Sequence, residues 1–212
     1  MDFDESILLS LAVKNIGPNN ASNIFVELST SDPYITFTDN LQNYPSVLAG
    51  QSVLATDAFS FTVADNIPDG HEVIINVSAS DLFNTWNSYL IINGHAPVFT
   101  MGSIIVSDPE GNNNGLLDPG ENATLTIPVT NIGNSMSSEA TSYLSSSYPY
   151  ITLNTTSDNL GVIDIGETKS ASFSVSISPD ATMGDMVDLE AVVNAEDLRC
   201  IKIIYSKHRL YD

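Results

Sequence analysis

Residues 108–121 read DPEGNNNGLLDPGE, with oxygen-bearing side chains on alternate residues inside a frame of glycines and prolines. Counted from Glu110 as the first position, Asn112 is third, Asn114 fifth, Gly115 sixth, Leu116 seventh, Asp118 ninth and Glu121 twelfth. Side chains at that spacing converge when the loop curls, the glycine permits the sharp turn, the seventh residue offers a peptide carbonyl and a terminal Glu supplies two oxygens. That donor set suits a hard cation, and Ca²⁺ takes about six to eight oxygens at roughly 2.3–2.6 Å. The first ligand is open between Glu110, which is longer than the usual Asp, and Asp108 just before it. Zinc is disfavoured without Cys or His in the stretch, and Mg²⁺ by its reluctance to shed water. Asn, Gly, Asp and Pro are also ordinary turn formers, so a polar connection needs no metal. Turn chemistry, however, does not require this placement of donors.

Other chemistries find little support. Cys200 is the only cysteine, and His71, His95 and His208 are scattered, so neither a disulfide nor a Cys–His pair is expected. Cys200 reads as a small buried hydrophobe. No G-x-S-x-G nucleophile motif occurs, and the chain is read as a non-enzyme. Trp86, Tyr89, Tyr44 and Tyr34 could supply the aromatic platform of a carbohydrate-binding module, although Tyr34 recurs as Tyr150, which favours packing for that position. The 26 acidic against 6 basic residues give a net charge of −20, which excludes neutralising nucleic-acid phosphates and disfavours anionic membranes. Four basic residues, Arg199, Lys202, Lys207 and Arg209, crowd the end and read as a solvated terminal strand or tail. No apolar run has transmembrane length, and no basic-then-apolar leader opens the sequence.

The elements that must hold the loop are written twice. KNIG at 14–17 matches TNIG at 130–133, DPYIT at 32–36 matches YPYIT at 148–152, Gly50 matches Gly166 and ASD at 79–81 matches AED at 195–197, all at an offset of 116. In between, Phe59 answers Phe173 and Gly70 answers Gly184 two residues out of step, which predicts an indel in a connecting loop. Within each copy apolar residues alternate, as in Ile7, Leu9, Leu11 and Val13 or Leu125, Ile127 and Val129, the period of strands with one buried face. The reading is all-β: two tandem Ig-like antiparallel β-sandwiches, 1–95 and 96–212, joined through NGHAP at 93–97. VFTMGSIIVSD would be the first strand of copy 2. Copy 1 lacks a counterpart, and DFDE at 2–5 aligns with the end of the 108–121 loop. The chain is therefore expected to begin inside a domain, and copy 1 to expose an edge that pairs with another chain in an edge-strand dimer.

The run GxxxGLLDPGE followed by VTNIG resembles the tandem Ig-like modules of large secreted bacterial proteins, found beside gingipain-like cysteine peptidase domains and in adhesin-like surface proteins. The resemblance covers both copies. It implies an extracellular or cell-surface accessory segment with calcium in the loop, attached to a catalytic domain of the same parent chain, and it carries over no catalytic residue. The expected function is a non-catalytic spacer and adhesion module with a structural calcium loop and a protein or glycan ligand. The alternative is a carbohydrate-binding accessory module of a secreted enzyme. Nucleic-acid binding and membrane insertion are not expected.

Overall fold

A computed structural model describes residues 1–195 and the backbone of strand Ile204–Arg209. Cys200 and the side chains of Arg199, Lys202, Lys207, His208 and Arg209 lie outside the described residues. Among those described the chain is all-β, without a helix, and it divides into two compact units, Met1–Ala96 and Pro97–Asp212.

Unit 1 contains seven strands: β1 (Ser6–Lys14), β2 (Ala21–Ser29), β3 (Ile35–Asp39), β4 (Leu41–Val47), β5 (Ser52–Val63), β6 (Glu72–Ser80) and β7 (Thr85–Asn93). They form two antiparallel sheets, β1-β5-β3 and β4-β2-β6-β7. Period-two alternation sends Val26, Leu28, Phe59, Phe61, Val73 and Ile75 into a common core, each 1% exposed or less. Tyr44 crosses this core. It is 1% exposed, and its hydroxyl on β4 donates to the Leu11 carbonyl on β1, 2.7 Å away, tying one sheet to the other. The NGHAP stretch is fastened to unit 1. The Gly94 and Ala96 amides donate to the His71 carbonyl and the Asp69 carboxylate, and His95 bridges Asp2 in parallel.

Unit 2 repeats the plan. Its strands are β8 (Phe99–Met101), β9 (Ile105–Ser107), β10 (Asn122–Asn131), β11 (Ala140–Ser146), β12 (Ile151–Leu153), β13 (Ser157–Gly161), β14 (Thr168–Ile177), β15 (Met186–Ala195) and β16 (Ile204–Arg209). One sheet runs β12-β14-β10, with β8 and β9 both on the far side of β10; the other runs β13-β11-β15-β16. Strands β10 to β16 therefore answer β1 to β7, while β8 and β9 have no equivalent in unit 1. The cores differ accordingly. Leu125, Ile127 and Val129 are fully buried on β10, whereas Ile7, Leu9, Leu11 and Val13 on β1 are only partly covered.

The repeated NIG motif acquires a structural reason. Asn131 Nδ2 donates to the Ser135 and Ile163 carbonyls, its Oδ1 accepts from the Gly133 amide, and its main chain pairs with Gly166 and Glu167. Asn15 makes the same bonds to Asn19, Val47, Gly17, Gly50 and Gln51. A carboxamide is needed because only it offers two donors and an acceptor at one position.

The indel lies elsewhere than expected. Leu9 pairs with Phe59 and Leu11 with Ala55, whereas Leu125 pairs with Phe173 and Ile127 with Ala171. The two additional residues thus sit inside β5, as a bulge rather than in a loop. Asp57 takes a φ of 49°, and the bulge is stitched to β1 by Ser10 Oγ, which accepts from the Asp57 amide and donates to its carboxylate.

Candidate metal centre

The 108–121 loop connects two strands that are already paired with each other, since Ser107, Val106 and Ile105 lie opposite Thr124, Leu125 and Thr126. Its C-terminal end is clasped to β14: the Gly120 amide donates to the Ile177 carbonyl, and the Ile177 amide donates to the Glu121 carbonyl. Leu117, 2% exposed, anchors the middle of the loop in the core. Unit 1 preserves the end of this turn. The Val63 amide donates to the Glu5 carbonyl, and Asp4 occupies a left-handed conformation (φ 54°) where unit 2 has Gly120 (φ 84°).

Inside the loop the predicted donors are arranged around buried carboxylates. Asp108 is 1% exposed, and its two oxygens accept from the Asn114 amide (3.1 Å) and the Gly115 amide (2.9 Å). Those bonds curl the chain, with Asn113 (φ 58°) and Gly115 (φ 76°) in left-handed conformations. The Asn112 carboxamide oxygen accepts from the Asn114 amide and that of Asn114 from the Leu116 amide, so successive donors are fixed by short turns. Each of these oxygens keeps a second lone pair. Asp118, 5% exposed, accepts on Oδ2 from the side-chain nitrogens of Asn112 (2.7 Å) and Asn114 (2.8 Å). Glu121 Oε1 accepts from the Asn112 amide at 3.0 Å. Glu110 is exposed, apart from this set, so Asp108 holds the curl from which the sequence left the first position undecided.

Two oxygens in the loop are buried without any hydrogen-bond partner: Asp118 Oδ1 and Glu121 Oε2. An anionic oxygen removed from water with nothing to compensate it costs several kcal/mol by general experience, and natural proteins avoid this. Gly111 completes the cradle, because a Cβ there would come within 2.5 Å of the Glu121 carboxylate. Among the described residues, no three His, Cys, Asp or Glu side chains stand close enough to hold a metal alone. A cation here would draw on carboxamide and peptide oxygens as well as carboxylates, which is the mixed oxygen set of Ca²⁺.

The four aromatic residues singled out in the sequence, Trp86, Tyr89, Tyr44 and Tyr34, do not assemble a common sugar platform. Tyr44 is interior. Tyr34 packs edge-on against His71 with centroids 4.9 Å apart, and His71 Nε2 lies 2.8 Å from Asp32. Tyr150 packs edge-on with Tyr148. Trp86 and Tyr89 are exposed on β7, but three residues apart on a strand they point to opposite faces. Sequence reasoning missed the roles of Asn15 and Asn131. The signal was present as the NIG repeat, without the long-range partners that explain it.

No family model and no curated protein matches the chain. Among solved structures it is similar to the native conformation of E. coli alpha-2-macroglobulin seen by cryo-EM, with 12% identity and a TM-score of 0.39 over 99% of this chain. The chain spans 16% of that protein's length. Among the described residues no helix is long and apolar enough to cross a membrane.

Proposed function

We propose that the chain is a non-catalytic spacer and adhesion segment of a larger secreted or surface-anchored bacterial protein, in which Ca²⁺ closes the 108–121 loop. The observation that carries the calcium reading is the pair of buried, unpartnered carboxylate oxygens of Asp118 and Glu121, held beside oriented Asn oxygens. The cation would be held by Asp108, Asn112, Asn114, the Leu116 carbonyl, Asp118 and Glu121, and it would supply the positive charge that these oxygens lack. Its role would be structural, fixing the β9–β10 connection. Two antiparallel sandwiches in tandem, an acidic surface and the resemblance to Ig-like accessory modules support the spacer reading. Extracellular sites of this kind bind at about 10⁻⁴–10⁻³ M, so the loop would be filled outside cells. Isothermal titration with Ca²⁺ should give one site per chain, absent in Asp118→Ala. A chain that takes up no Ca²⁺ at millimolar concentration refutes the reading.

A further inference from the structure

One corner is built alike in both units, and within it one bonded pair is reversed. In unit 1 the Thr30 hydroxyl, just past β2, donates to the Ile74 carbonyl on β6 and accepts from the Asp32 amide. In unit 2 the Ser146 hydroxyl, at the end of β11, donates to the Asp188 carbonyl on β15 and accepts from the Tyr148 amide. The turn before β6 closes through the His71 amide on the Pro68 carbonyl, and the turn before β15 through the Asp185 amide on the Thr182 carbonyl. One polar bond then crosses each corner. In unit 1 the ring is on the turn and the acid on the loop: His71 Nε2 donates to Asp32 Oδ2 over 2.8 Å. In unit 2 the ring is on the loop and the acid on the turn: the Tyr148 hydroxyl donates to Asp185 Oδ2 over 3.1 Å. At the repeat offsets Asp32 matches Tyr148 and His71 matches Asp185. A second tyrosine packs edge-on against the ring in both corners, Tyr34 on His71 and Tyr150 on Tyr148. Donor and acceptor have changed places while the bond stays, so the corner requires the bond and not either residue.

In unit 1 the clasped turn also holds the segment that follows β7. The Gly94 amide donates to the His71 carbonyl over 2.8 Å, the Gly70 amide to the Gly94 carbonyl over 2.9 Å, and the Ala96 amide to Asp69 Oδ1 over 3.1 Å. Gly94 lies against Ile67, which is 0% exposed, and a Cβ there would come within 2.5 Å of the Ile67 Cδ1. His71 therefore stands in the middle: its side chain holds the β2–β3 loop and its carbonyl holds Gly94. Asp32 bonds to Thr30, Tyr34, Ile35 and His71, so its hold on residues 94–96 passes through His71. The core beneath is sealed by other groups, with Phe59, Phe61, Val73 and Ile75 each 1% exposed or less. The His71 and Asp32 side chains are 29% and 12% exposed, at the surface where local opening is cheapest.

We propose that the Asp32–His71 bond is a latch on the segment that leaves unit 1. Closed, it fixes the β5–β6 turn and, through the His71 carbonyl, residues 94–96. Opened, it releases that segment from the body of unit 1 while the sandwich stays folded. Asp32 and His71 are positioning residues in this device, and any pair that restores the bond restores the latch. It depends on neither calcium nor the spacer role.

The test is native-state amide exchange on the full chain, read at Gly94 and Ala96 with Val73 and Ile75 as core references. Asp32→Ala, which touches neither reporter, is expected to speed exchange at Gly94 and Ala96 at least about tenfold and to leave Val73 and Ile75 unchanged. His71→Asp, which sets two carboxylates face to face, should do the same. The double variant Asp32→Tyr with His71→Asp installs the unit 2 pair and should return both reporters to within about threefold of the parent, a recovery that a purely local defect would not show. If Asp32→Ala fails to fold because the Tyr34 amide loses its acceptor, His71→Phe, which keeps a ring against Tyr34 and the main chain at 71, decides the matter by the same readout. Unchanged Gly94 exchange in His71→Phe overturns the proposal. So does a double variant no better protected than its single variants, or one that loses the unit 1 melting transition.

Discussion

Withholding the Ca²⁺ proposed for the 108–121 loop should destabilise unit 2 alone, by an amount that follows from mass action. A ligand that binds only the folded state stabilises it by RT ln(1 + [L]/Kd). With a dissociation constant of about 10⁻⁴–10⁻³ M and about 10 mM free Ca²⁺, this is roughly 1.4–2.7 kcal/mol. For a domain of this size each kcal/mol moves the midpoint by roughly 3–6 °C, so the shift should be about 4–16 °C. Differential scanning calorimetry of the full chain is the assay, because two units with separate cores should give two transitions. The transition assigned to unit 2 should rise with Ca²⁺ and fall with chelator, while that of unit 1 stays fixed. Asp118→Ala removes the buried oxygen that lacks a partner and also the acceptor shared by Asn112 and Asn114. Its midpoint should be insensitive to calcium, and lower than that of the calcium-loaded parent. A calcium shift of equal size in Asp118→Ala, or one borne by the unit 1 transition, would refute the argument.

Tyr44→Phe leaves the Leu11 carbonyl without its buried donor and should cost unit 1 about 1–3 kcal/mol in denaturant unfolding, with the unit 2 transition unmoved. Burial also holds the Tyr44 hydroxyl above its ordinary value of 10.0, so this contribution persists below that pH and is lost as the group ionises in stronger alkali, which ultraviolet titration can follow. Asn131→Ala breaks four side-chain hydrogen bonds at a fully buried site and should cost unit 2 more than about 3 kcal/mol, while Asn15→Ala, at a partly exposed site, costs unit 1 less. The Asp81 carboxylate is held below its ordinary 3.8, first by the Phe83 amide and then by the Asn84 amide and side chain. The order it gives the β6–β7 turn is therefore present above that value and lost as pH falls through the depressed one. An NMR titration should place its midpoint below 3.8, and Asp81→Asn should flatten the acid limb of the turn's amide shifts.

Much of this was legible because the residues obey a period of two. The inward sets of β5, β6, β10 and β15 were readable from alternation alone, and the constant repeat offset marked VFTMGSIIVSD at 98–108 as strand-forming sequence belonging to the second copy. What failed to appear in the sequence depends on partners distant along the chain. Tyr44 looks like any surface tyrosine until β4 folds it across to Leu11, 33 residues away. Asn131 looks like a turn residue until Ile163, 32 residues on, returns to it. The choice between Asp108 and Glu110 turns on which carboxylate the curl swallows, and spacing is blind to that. The two-residue slip was visible, but its location was not, since a loop and a bulge leave the same gap in a self-alignment.

That slip has a bearing on how such tandem modules can drift apart. The pleat turns every second side chain inward, so Ala55 and Phe59 face the same way on either side of the bulge although the ladder is interrupted between them. Core strands can thus absorb copying errors as bulges. The two residues added in β5 leave Phe59 and Phe61 inward, and single-residue bulges interrupt the β3–β5 ladder between Phe37 and Asp39 and the β11–β13 ladder between Asn159 and Gly161, so such modules can differ inside their strands as well as in their loops.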